Sequence, residues 1–159
     1  MKTKLKKASL ILLILVIAFS ATLMTACDSN KSVQAFYDYA VKAKSNLDLL
    51  AEETRSIFYT ITYNPGGYDL DVYTDIAIIG LNAKRTTVKN DYTTLKELFN
   101  ATTEETLHIQ AKAVIYAFED YANCVFEMDG SYNTFVSNKT RYEKALRDAL
   151  MDLELALSK

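Results

Sequence analysis

The sequence is poor in the residues that usually carry chemistry, and poorer still in those that interrupt helices. In 159 residues there is one His, and there are two Cys, one Pro and four Gly. With His108 the sole imidazole, no Ser-His-Asp set is expected, and Cys124 lies about four helical turns from the only candidate base. Glu105-Thr106-Leu107-His108 matches the Glu-x-x-His element of di-iron bundles, but that site needs two such elements and two further Glu. The second cannot exist, and His108 is expected as a half-exposed helix residue. Gly66-Gly67 lacks the spacing and the following Lys of a phosphate-cradling loop. Two Cys make no disulfide framework, so an apolar core must supply the stability. The pairs Glu52-Glu53, Glu104-Glu105 and Glu119-Asp120 are solvated helix faces before they are acid/base pairs. No catalytic residue, metal site or cofactor is expected, and the chain is not expected to be an enzyme.

Scarcity of breakers leaves long stretches in which apolar residues recur at alternating spacings of four and three, the helical signature. The first seam is Phe36, Ala40, Ala43, Leu47, Leu50, Thr54, Ile57, Ile61, and the second Ile78, Leu81, Arg85, Val88, Tyr92, Leu95, Phe99. A third runs Leu107, Ala111, Val114, Phe118, Tyr121, Val125, Met128, and a fourth Phe135, Lys139, Tyr142, Leu146, Ala149, Leu153, Ala156. Asn64-Pro65-Gly66-Gly67 is a strong turn signal. Thr102 and Glu105 form a capping box, Gly130 suits a left-handed helix end, and Ser131 an N-cap. These signals place helices near 32–61, 72–100, 103–129 and 131–158. Similar lengths and mostly tight turns predict an all-α, up-down-up-down four-helix bundle. One stretch competes: Tyr59–Tyr63 and Tyr68–Tyr73 alternate with period two, so a small β-hairpin near 58–73 is the alternative.

The first thirty residues have a different grammar. Lys2, Lys4, Lys6 and Lys7 precede an apolar run from Ala8 to Phe19, broken only by Ser9, and then come Ser20, Ala21 and Thr22. A basic start, a short apolar run and small residues make a secretory signal. The run is short of the roughly 20 apolar residues of a membrane span. Leu23-Met24-Thr25-Ala26-Cys27 follows and resembles the lipobox of bacterial lipoproteins. Met24 stands where that pattern prefers Leu, while Thr25, Ala26 and Cys27 all conform. The resemblance implies cleavage before Cys27 and lipid attachment to it, which gives a signal peptide at 1–26, a lipidated start and short linker at 27–31, and a helical domain at 32–159. It also implies a location on the outer face of the cell membrane. Asp28 would act as an inner-membrane retention signal only in a host with two membranes. The sequons at Asn100 and Asn138 have no use beside a lipobox.

Removing 26 residues and their four Lys leaves 133 residues with 14 Lys and Arg against 20 Asp and Glu, a net charge of −6. An acidic domain is a poor partner for nucleic acid. Cys124, left without a second thiol, is expected as a small buried hydrophobe. Arg85 and Lys139 interrupt apolar seams, and in an up-down-up-down bundle they fall level with Glu52, Glu53, Glu119 and Asp120, of which Glu53 and Glu119 are the candidates for a shared layer. A buried polar layer is one expectation, and snorkelling of both stems to water is the other. Tyr59, Tyr63, Tyr68 and Tyr73 crowd the first interhelical connection. Tyr is enriched at interfaces, so Tyr63, Tyr68 and Tyr73 are candidate contacts for a protein partner, unless they only close the bundle end. The expected function is a non-enzymatic, lipid-anchored interaction module with an immunity, exclusion or envelope-accessory role. The alternatives are a small-ligand carrier with an apolar cavity and, last, a surface enzyme.

Overall fold

The four-and-three spacing becomes four helices in the computed structural model, which describes residues 29–102 and 105–159. The signal segment, Cys27 and Asp28 lie outside the described residues. Helices α1 (Ser29–Tyr63), α2 (Leu70–Asn100), α3 (Glu105–Glu127) and α4 (Tyr132–Leu157) follow one another, with no strand among the described residues. Side-chain pairs fix their directions. Asn46 meets Asp91 while Glu53 meets Lys84, so α1 and α2 are antiparallel. Tyr92–Phe118 and Phe99–His108 do the same for α2 and α3, and Arg55–Tyr132 and Glu52–Lys139 for α1 and α4. α1 and α3 touch across the core, whereas α2 and α4 occupy the other diagonal without contact. The architecture is an all-α four-helix bundle.

The seams build the core. Phe36, Ala40, Ala43, Leu47, Leu50 and Thr54 of α1 are essentially without exposure, as are Val114, Phe118, Tyr121 and Val125 of α3. Leu81, Val88 and Leu95 of α2 and Phe135, Leu146 and Leu153 of α4 complete it. Each fully buried Leu or Phe contributes roughly 1.5–3 kcal/mol relative to exposure.

Several expectations need correcting. The hairpin at 58–73 does not form: residues 58–63 continue α1, and α2 begins at Leu70. A lone hairpin is marginal in water, whereas the helix keeps Ile57 and Ile61 on the core. Asn64 closes the turn at φ +41°. Its carboxamide oxygen accepts from the Tyr68 N–H at 2.7 Å, and its amide donates to the Tyr68 carbonyl at 3.1 Å. Asp69 then caps α2, accepting from the N–H groups of Asp71 and Val72. α1 already includes Ser29, the first described residue, so 29–31 of the expected linker at 27–31 are helical. α3 ends earlier than expected, because Met128 (φ +49°) makes a left-handed step before Gly130 (φ +82°) makes another. Ser131 caps α4 through the Thr134 N–H, as its position suggested. Thr102 turns backwards: its hydroxyl donates to the Phe99 carbonyl at 2.6 Å and closes α2, while the Glu105 side chain lies outside the described residues.

Candidate interaction surface at the α1–α2 end

α2 has 31 residues and α3 only 23. Because they run antiparallel and α3 stops at Glu127, the first half of α2 projects beyond it. That difference decides what is exposed. Ile78, expected in the seam, is 45% exposed because α3 does not reach it. The α1–α2 end therefore presents an aromatic and aliphatic surface.

Its tyrosines form two groups. Tyr59 and Tyr63, both exposed, are 4.9 Å apart at the ring centroids, and each lies against Tyr132 at 5.5 and 5.7 Å. Phe58 anchors this group through Tyr132 and Phe135. Arg55 Nη1 donates to the Tyr132 hydroxyl at 3.3 Å. Tyr68 stacks on Tyr73 at 5.5 Å and 21°, and Tyr68 is exposed while Tyr73 packs on the core. Of the three tyrosines singled out in the sequence, Tyr63 and Tyr68 are thus available to a partner, and Tyr73 is largely structural. Gly66 lets the Tyr68 ring fold back over the turn, since a Cβ there would run into that ring. Val72, Ile76 and Ile79, exposed on the outer side of α2, were missed. The signal was present, as Ile76 to Ala83 is free of charge on every face of the helix.

The expected polar layer resolves into separate pairs. Lys139 is buried among its neighbours and reaches Glu52 Oε1 at 2.6 Å and Glu143 Oε2 at 3.1 Å. Glu53 pairs with Lys84, the residue before Arg85. Arg85 instead donates through Nη2 to the Phe126 carbonyl at 3.4 Å. Glu119 serves Tyr92: burial first, then a hydrogen bond toward Glu119, pushes that phenol up to about 12. Arg85 and Lys139 share no partner among these contacts, so they do not form one layer. A second polar contact escaped the sequence reading. Buried Asp91 of α2 accepts from the Tyr39 hydroxyl at 2.8 Å and the Asn46 amide at 2.9 Å, both on α1.

Nucleophilic chemistry finds no support in the arrangement. Cys124 is half-buried rather than fully so, in the wall of an α3–α4 cleft of about 180 Å³ lined also by Asp120, Glu127 and Asp129. Burial, the larger cause, raises its thiol pKa, which keeps it protonated at neutral pH. His108 stacks on Phe99 at 4.2 Å, and its Nδ1 lies 3.3 Å from the Thr102 hydroxyl, so its ring is packed against the end of α2. No group of three metal-ligating side chains gathers among the described residues. Two further clefts, of about 190 and 390 Å³, run along the outer α1–α2 groove, and both open to the surface. No described helix is long and apolar enough to cross a membrane. No protein-family model, curated protein or solved structure matches the chain.

Proposed function

We propose that the chain is an exported lipoprotein, held on the outer face of a bacterial cell membrane through Cys27, that binds another protein with the opposite end of its bundle. Two features support this reading. The lipobox resemblance implies an anchor two residues before Ser29, the first described residue of α1. At about 1.5 Å per residue, the 35-residue α1 then spans roughly 52 Å, with Tyr63 at its far end. The observation that carries the partner is the exposure of Tyr59, Tyr63 and Tyr68 together at that end, between 43% and 54%. Aromatic side chains left in water on a preformed support are typical interface anchors. The role is non-catalytic, of the immunity, exclusion or envelope-accessory kind.

Replacing Tyr59, Tyr63 and Tyr68 together by Ser tests this reading. Tyr73 is kept because it packs on the core. Capture of a partner from intact cells should be lost, while helicity and melting temperature stay close to those of the unsubstituted chain. Undiminished capture would remove the end of the bundle from consideration.

A further inference from the structure

The projecting half of α2 is apolar both toward α1 and on an exposed flank. Arg85 marks the level of Phe126, the residue before the last of α3. Residues 70–84 therefore run past α3 for roughly 22 Å. The α2 and α4 backbones do not approach closely, so among the described helices α1 is the support of this stretch, with Leu81 buried, Tyr73 and Ala77 on the core and Lys84 paired to Glu53. The other side carries Val72 (56% exposed), Ile76 (66%), Ile79 (72%) and exposed Ala83, at spacings of four, three and four. Gly80 adjoins them, and no atom stands within 4 Å of the place its Cβ would take. Gly80 opens on the α1–α2 cleft, and no described residue fills the space at its bare backbone, although Gly weakens a helix. A helix that is apolar on both sides is ordinarily covered on both.

We propose that this stripe joins two copies of the chain, with their α2 helices packed in parallel about a two-fold axis. The spacing is that of a coiled-coil seam, in which a parallel pair sets Val72, Ile76, Ile79 and Ala83 each against its own counterpart. The next seam positions, Thr86 and Asn90, are polar and end the contact. Asp75 flanks the seam. In a parallel pair the residue five places on lies across from it, so Asp75 meets Gly80 of the second copy and not another carboxylate. Four side chains are a small contact beside the roughly 800 Å² per partner of a standard stable interface. Such a contact is weak between free molecules. Two chains anchored in one membrane meet at a raised effective concentration, and the shared membrane makes their α2 helices run the same way. The parallel register thus rests on the anchored reading above. Pairing would set two tyrosine ends side by side, so that a partner with repeated sites is held at two points.

Cysteine cross-linking in membranes of cells making the full chain tests the pairing. With Cys124→Ala as background, Val72→Cys and Ile79→Cys are each compared with Ile109→Cys, a 70% exposed position on α3. Mild oxidation should give covalent dimers from both α2 positions at least fivefold more than from Ile109→Cys. Dimer yields no higher than that control would overturn the proposal, as would adducts of Ile79→Cys with a different protein. Fractionation of the same samples reads the anchor separately. Chains in the membrane fraction without cross-links overturn the pairing and spare the anchor, whereas cross-linked chains in the soluble fraction support pairing and overturn the anchor.

Discussion

Lys139 Nζ lies 2.6 Å from Glu52 Oε1, tying a buried seam position of α4 to the outer edge of α1. The Lys139 stem fills core space, while its ammonium is shared with Glu143 at 3.1 Å. Burial pulls this ammonium's pKa down, but the bonds to Glu52 and Glu143 outweigh it, and the net shift is upward. The Glu52 carboxyl is held below its ordinary range, first by Lys139 and then by Arg55.

The signs of these shifts fix a pH window. A carboxylate with a lowered folded pKa stabilises above its ordinary value of about 4.3, and that contribution fades as pH falls through the folded value. An ammonium with a raised folded pKa stabilises below about 10.4, and its contribution is lost as pH rises through the folded value. Glu52→Gln should therefore cost about 0.5–1 kcal/mol at neutral pH, because Glu52 is half-exposed and screened. The difference should shrink below about pH 4 in urea titrations. Lys139→Met, which keeps the volume and drops the charge, should stay within about 1 kcal/mol of the unsubstituted chain. A loss of several kcal/mol would mean that the pair, rather than the stem, holds α4 in place.

Asp91 gives a sharper test, because it is buried and takes both of its side-chain bonds from α1. Burial first, and also the bond to Asp91, raises the Tyr39 pKa, so the phenol remains a donor through neutral pH. Asp91→Leu would strand the Tyr39 hydroxyl and the Asn46 amide together, at a cost on the order of 2–4 kcal/mol. Asp91→Asn keeps an accepting oxygen and should cost about 1 kcal/mol. Denaturant unfolding of the two variants checks the order. Equal losses would show that charge, and not bond satisfaction, matters here.

The sequence pattern locates the helices well because burial repeats every three or four residues, and Leu47, Phe118 and Leu146 all sit where that period places them. It fails where the outcome depends on a neighbour's length. Ile78 has the right phase to be buried, but α3 stops short of it. Residues 58–63 have strand-like local preferences, which the packing of Ile57 and Ile61 overrides. Arg85 and Lys139 look equivalent along the chain, yet they stand on the diagonal pair of helices and find separate partners. His108 is half-exposed as its position on the helix predicts, but its stacking on Phe99 could not be read, because that ring lies across a helix boundary. At the proposed site, Tyr63 and Tyr68 were visible as a cluster of aromatic residues. The role of Tyr73 was missed although it lies eight residues before the seam residue Leu81 and so on the same helical face, because 68–73 also alternates with period two.

An anchor at Cys27 would decide which end of the bundle faces outward. Cys27 lies two residues before α1, so a lipid on it would hold the Ser29 end at the bilayer and leave the tyrosines far from it. Each buried methylene contributes about 0.8 kcal/mol, and one acyl chain binds only reversibly, so stable attachment needs at least two chains. The chain should therefore mature to a form beginning at a diacylated Cys27 and partition with membranes. Cys27→Ala should appear either as unprocessed precursor or as released protein. Intact-mass spectrometry of membrane extracts is the direct check, with a mass increment matching two or three acyl chains expected on the N-terminal residue. A mature chain starting at an unmodified Cys27, or farther on, would mean that the segment is an ordinary secretory signal. The bundle would then be free in solution, and neither its upright orientation nor the parallel register of α2 would be imposed by a membrane.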